Sequence, residues 1–130
     1  MEHMSLEEYK EYKNKKKKFN NEEIIVDGIK FDSKLESERW KYLRLLEQAK
    51  EIKELRRQVK FELQPSFKKN GITIQSINYI ADFTYYDLNK KKLIIEDTKG
   101  FKTNEYKIKK KLFEYKFPDL EITEIRKEEI

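Results

Sequence analysis

Leu93-Ile94-Ile95-Glu96-Asp97-Thr98-Lys99-Gly100 is the stretch on which the reading of this chain turns. Three large apolar residues in succession have the character of a buried strand. Two acids, a Thr and a Lys follow before a Gly closes the run. Side chains alternate along a strand, so Asp97 and Lys99 are expected on one face and Glu96 on the other. Acid-x-Lys at the end of a buried strand packs poorly and is suited to chemistry. A second acid stands upstream in another apolar strand, Tyr79-Ile80-Ala81-Asp82-Phe83-Thr84-Tyr85-Tyr86, and Leu88-Asn89-Lys90-Lys91 turns one strand into the next. Paired as a hairpin, the two strands bring Asp82 and Asp97 together. Two convergent carboxylates suit Mg²⁺, a hard cation that takes oxygen ligands, often from one or two carboxylates plus water and phosphate. Such an ion polarises a phosphate and acidifies a bound water. Lys99 is the candidate to orient that water, and the Thr98 backbone carbonyl is a further candidate ligand.

Working upstream, residues 33–50 form the clearest expected helix. Ser33 followed by Glu36 fits a capping box. Leu35, Tyr42, Leu43, Leu46 and Ala49 recur at helical spacing, which puts Glu36 on the shoulder of the apolar stripe. Glu36 is therefore both a cap candidate and a candidate metal ligand. In the strand Arg57-Gln58-Val59-Lys60-Phe61-Glu62-Leu63, the residues Val59, Phe61 and Leu63 point one way and Gln58 the other. Gln58 reads either as a surface amide or as a site residue. Ile24-Ile25-Val26-Asp27-Gly28-Ile29-Lys30-Phe31 is a hairpin turned by Asp27-Gly28, and Lys68-Lys69-Asn70-Gly71 is a turn. The segment from Ile72 to Tyr86 is long for one strand and calls for a bulge or bend.

Downstream, Thr103 or Asn104 caps a helix that runs to about Phe117 and stops at Pro118. Ile108, Leu112 and Tyr115 make one apolar stripe on it. Tyr106, Lys110, Phe113 and Phe117 make another. Lys107, Lys110 and Lys111 are candidate DNA contacts. Glu121 to Ile125 is the last strand. At the other end, Lys15, Lys16, Lys17 and Lys18 belong to a basic arm that reads either as a solvated tail or as a sequence-independent contact to nucleic-acid backbone.

The chain has 130 residues, 42% of them charged, and a net charge of +5. That length fits one domain, expected over residues 22–126, with a basic arm over 1–21 and a charged tail over 127–130. The basic balance suits a polyanionic partner. There is no cysteine, which excludes disulfides and thiolate metal sites, and the one histidine is His3. No run approaches a membrane span and no secretory leader is recognisable, so a cytoplasmic protein that does not enter membranes is expected.

Asp82, with Asp97-Thr98-Lys99 beginning fifteen positions later, resembles the signature of the PD-(D/E)xK nuclease superfamily. The longer string looks like a phage-encoded family within that superfamily, long catalogued as a domain of unknown function. It runs from Val26-Asp27-Gly28-Ile29-Lys30-Phe31 through Leu35-Glu36, Arg57 to Leu63, Tyr79-Ile80-Ala81-Asp82-Phe83 and Glu96 to Gly100. The resemblance covers roughly residues 22–117, and Ala81 stands where the motif's name carries Pro. It implies an α/β (α+β) restriction-endonuclease-like core, a mixed sheet flanked by helices in αβββαβ order. It also implies Mg²⁺-dependent DNA cleavage, with Mn²⁺ able to substitute, by Asp82, Asp97, Lys99, Glu36 and Gln58. The substrates it implies are branched recombination or replication structures such as Holliday junctions, in the cytoplasm of a bacterial host if the protein is phage-encoded. A symmetric junction needs two active sites, which a homodimer supplies. The competing expectation is a non-catalytic DNA-binding or host-factor-interacting phage protein, which would have no use for two acids placed together near phosphate.

Overall fold

The computed structural model describes residues 5–10, 24–98 and 102–127. Lys15, Lys16, Lys17, Lys18 and Lys99 lie outside the described residues. In chain order the elements are α1 (6–10), β1 (Ile24–Val26), β2 (Ile29–Phe31), α2 (Lys34–Gln48), β3 (Ile52–Gln64), β4 (Phe67–Lys69), β5 (Ile72–Ile74), β6 (Ile77–Asp87), β7 (Lys92–Thr98), α3 (Asn104–Lys116) and β8 (Ile122–Ile125). The fold is mixed α+β. Its four-stranded central sheet has the order β3-β6-β7-β8, antiparallel for the first two pairings and parallel for β7 with β8. Parallel neighbours need a crossover, and α3 is that crossover.

The two long helices cover opposite faces of the sheet. On one side Trp40 and Leu43 of α2 pack with Phe31, Phe83, Tyr85 and Ile94. On the other, Tyr106 and Phe113 of α3 pack with Tyr79, Ala81 and Ile95. Strand β7 is sandwiched between them, so Ile94, Ile95, Glu96 and Asp97 are all buried. This is why it reads as an unbroken apolar run rather than an alternation. Trp40 anchors the α2 side. Its ring stacks on Phe83 at 6.0 Å and lies 6.1 Å from Phe31, and its Nε1 donates to Asp27 Oδ2 at 3.1 Å.

Two local readings change. The buried face of α2 carries Glu36, Ser37, Arg39, Trp40 and Leu43, whereas Tyr42 is 43% exposed and Ala49 is exposed. The face is rotated from the expected apolar stripe because beneath the helix Arg39 reaches Glu96 and Glu36 reaches Gln58. Glu36 accordingly sits inside the buried face and not on its shoulder. The segment from Ile72 to Tyr86 bends at Gln75-Ser76 into β5 and β6, and β5 closes a separate hairpin with β4 through Asn70-Gly71.

The sheet also turns over along its length. Register pairs Arg57 with Phe83 and Val59 with Ala81. Phe83 packs on the α2 side, but Ala81, two residues away, packs on the α3 side. On β3 the Arg57 guanidinium lies over the Phe31 ring at 5.0 Å, while Phe61 meets Phe113 of α3 edge-on at 5.1 Å. Both strands therefore change face at one level, where Gln58 lies opposite Asp82. Gln58 takes φ +54 there, a left-handed conformation that costs a non-glycine residue roughly 1–2 kcal/mol.

Candidate active site

The inversion of the sheet brings three sequence-distant side chains to one point. Ser33 caps α2 by accepting from the Glu36 backbone N–H at 3.1 Å. The Glu36 carboxylate does not close the capping box. It turns to Gln58, whose Nε2 donates to Glu36 Oε1 at 3.0 Å and approaches Asp82 Oδ1 at 3.5 Å. One neutral amide thus spans two acids. Burial, and next the charge of Asp82, push the Glu36 carboxyl up to about 7; Gln58 and Arg57 oppose that shift. Arg57 stands back, with Nη2 3.9 Å from Glu36 Oε1. Its Nε is buried and has no hydrogen-bond partner among the described residues.

Asp82 is held from the other side by the end of β7. Its Oδ2 accepts from both the backbone N–H and the hydroxyl of Thr98, each at 2.8 Å. Asp97 is 2% exposed and accepts from the Tyr79 hydroxyl through Oδ2 at 2.7 Å. The Tyr79 phenol is driven far above its ordinary pKa by burial and by Asp97, with a smaller contribution from Asp82, so both acids act on the same ring. Asp97 opens onto a pocket of about 230 Å³, lined also by Tyr79, Thr103, Glu105, Tyr106 and Lys109. That space is below the roughly 300 Å³ at which sites for drug-sized ligands begin, and it suits water, an ion or one phosphate.

Glu96, next to Asp97, faces the α2 side. There Arg39 Nε and Nη2 fork onto its two oxygens at 2.8 and 2.7 Å, and the Tyr85 hydroxyl donates to it as well. On α3, Lys110 is engaged with Glu124 at 3.3 Å, and Lys102 with the same carboxylate at 3.2 Å. Lys107 and Lys111 are exposed. Of the expected site residues, Glu36, Gln58 and Asp82 form one cluster, Asp97 lies beside it through Tyr79 and Thr98, and Lys99 falls outside the described residues.

Three participants escape a reading of sequence alone: Tyr79, Arg57 and the side chain of Thr98. Tyr79 has a faint signal, a hydroxyl-bearing aromatic three residues before the strand acid. Arg57 has none, since one Arg in a chain with 30 Lys and Arg carries no information.

Among the described residues, no three His, Cys, Asp or Glu side chains stand together as a ready-made metal cage. The donor chemistry nonetheless fits Mg²⁺, which can use one or two carboxylates with water and phosphate completing the shell. The crowding that raises Glu36 is what a cation beside Asp82 would relieve. Among the described residues no helix is long and apolar enough to cross a membrane.

No curated protein and no solved structure matches the chain. A family model does match, over residues 16–129. That span takes in α2, the whole central sheet, α3 and every residue of the candidate site, and the chain belongs to the family described as a protein of unknown function, DUF1064.

Proposed function

We propose that this protein is a Mg²⁺-dependent DNA endonuclease of the PD-(D/E)xK type, with Asp82, Asp97, Lys99, Glu36 and Gln58 at its centre. The observation that carries the reading is the Gln58 amide spanning Glu36 and Asp82 at a strained backbone position. Strain of that kind persists where the surroundings over-determine it, and it clusters at functional sites. The order helix, antiparallel strands, helix, parallel strand, with a β4–β5 hairpin inserted, is compatible with a restriction-endonuclease-like core.

In this reading Asp82 and Asp97 would hold the cation with water completing its shell, the Thr98 carbonyl being a further ligand and Glu36 reaching it through water or holding a second ion; the cation would supply Lewis-acid stabilisation of phosphate and an acidified water. The chain's own residues do the positioning. Thr98 fixes the Asp82 carboxylate through two donors. Tyr79 fixes Asp97. Gln58 keeps Glu36 directed at Asp82. Arg57, with Nη2 3.9 Å from Glu36, adds positive charge beside the acids. Lys99, next after Thr98 in sequence, is the candidate for the proton-transferring amine. A homodimer acting on branched DNA such as a Holliday junction extends the same reading.

The test is direct. Purified protein is incubated with labelled linear, flapped and four-way DNAs in Mg²⁺, Mn²⁺ or EDTA. Cleavage of at least one substrate in either metal and none in EDTA is expected. Absence of product from every DNA in both metals overturns the proposal.

A further inference from the structure

All eight residues from Phe67 to Ile74 are exposed, and three of them are large and apolar: Phe67 at 44%, Ile72 at 65% and Ile74 at 38%. Register pairs Phe67 with Ile74 and Lys69 with Ile72. Directly opposed residues share a face, so Phe67, Ile72, Ile74 and Lys69 lie on one side of the hairpin, and Lys68 with Thr73 on the other. Asn70 and Gly71 take φ 52 and 75, the left-handed pair of a two-residue turn that holds this register. A lone two-stranded hairpin is marginal in water, and one that turns its apolar side outward gains no burial from it. The arrangement makes physical sense with an occupant.

Charge and position select the occupant. From Gln64 to Ile77 the chain has no acid and two lysines, Lys68 and Lys69, both beside the turn. A cationic tip next to an aromatic ring fits a nucleic-acid strand, with phosphate on the ammonium groups and a base on the ring. The hairpin continues β3 and β6, the strands that carry Gln58 and Asp82. Ile77 lies five residues from Asp82, or ~16 Å at ~3.3 Å per strand residue. DNA engaged at Asp82 therefore passes the hairpin about 5–8 nucleotides away, taking ~3.4 Å per nucleotide along the axis. A paired duplex hides its base faces in the stack, whereas an unpaired stretch offers them.

Resting on the nuclease reading above, we propose that the β4–β5 hairpin is a base-contacting arm. Phe67, backed by Ile74, stacks on unpaired bases of DNA bound at the Asp82 centre, and Lys69, on the same face, holds the adjoining backbone.

The experiment reads binding in EDTA, where no cleavage occurs. The probes are a duplex and the same duplex with a five-nucleotide unpaired stretch containing 2-aminopurine. Wild type is expected to bind the unpaired probe at least about tenfold tighter, the scale of one base–aromatic stack, and to quench its fluorescence. In the Phe67→Ala/Ile74→Ala double variant both the preference and the quenching disappear. Phe67→Leu keeps apolar bulk and should lose the quenching, so the test survives if the double variant does not fold. Equal affinity of wild type for the two probes, preference retained in both variants, or a hairpin-dependent dimer in sedimentation overturns the proposal. A protein that binds this way and never cuts DNA overturns the nuclease reading alone. One that cuts without the preference overturns the arm alone.

Discussion

Two acidic clusters lie beneath the same helix, one around Glu96 where Arg39 of α2 meets it and one around Glu36 of α2 itself. Around Glu96, one acid meets one base: Arg39 forks onto the carboxylate and Tyr85 donates to it. Around Glu36, two acids share one neutral amide, and the nearest guanidinium stays at 3.9 Å. Glu96 is fully buried and Glu36 is 7% exposed, so burial does not tell the two apart. Balance does. The Glu96 cluster has met its own charge and has nothing left for a ligand. The Glu36 cluster sets two acids on one neutral amide, and burial, with the charge of Asp82 adding to it, holds the Glu36 carboxyl near 7. A perturbed group with an unbalanced neighbourhood is the better marker of a site.

The sharpest way to break this contrast is Asp82→Asn. The Thr98 donors still find an oxygen, so the fold should stand, and Mg²⁺-dependent cleavage should fall to background in single-turnover assays. Full activity would remove Asp82 from the centre. Next in size is Arg39→Met, which leaves Glu96 buried without its base. Such losses cost about 3–5 kcal/mol, to be read as a lowered denaturant midpoint, with Arg39→Met/Glu96→Gln recovering much of it. An Arg39→Met protein of normal stability would mean that the forked pair is not structural.

Lys99→Ala should slow the chemical step by ~10²-fold, the scale of an acid–base group, with DNA affinity and melting temperature kept. A normal single-turnover rate would place the amine elsewhere. The smallest effect concerns Glu36. Its folded pKa of about 7 lies above the ordinary 4.5, so the folded protein keeps a proton that the unfolded chain releases. The contribution of Glu36 to stability is therefore fully present below about pH 4.5 and is lost as pH rises through about 7. Glu36→Gln should flatten that slope, melt a few degrees higher than wild type at pH 8 and shift the Mg²⁺ midpoint upward. An unchanged pH profile in the variant would mean that Glu36 does not titrate there.

Much of this architecture is written locally. Asp27-Gly28 and Asn70-Gly71 mark their hairpins because few residues accept two consecutive left-handed positions. Ser33 marks the start of α2, and Pro118 follows the end of α3. The apolar run of β7 announces its burial on both faces. Hidden from a local reading are features whose cause is distant. The face of α2 cannot be set from hydropathy when Arg39 is buried by an acid 57 residues away. Period-two alternation places Val59, Phe61 and Leu63 correctly, yet it cannot cross Gln58, where the backbone reverses. The acids themselves were legible at Glu36, Asp82 and Asp97. Their supports, Tyr79, Arg57 and the side chain of Thr98, were not, because a side chain that orients another is defined by geometry and not by type.

Trp40 is the only tryptophan in the chain. It lies under α2 between Phe31 and Phe83, next in sequence to Asp82, with its indole nitrogen tied to Asp27. The protein consequently carries its own optical gauge. Lifting α2 from the sheet would wet the indole and move its emission to the red, whereas a purely chemical lesion at Glu36, Gln58 or Asp82 would leave the spectrum where it was. An unlabelled sample in a fluorimeter can thus separate broken catalysis from broken packing before any DNA is added.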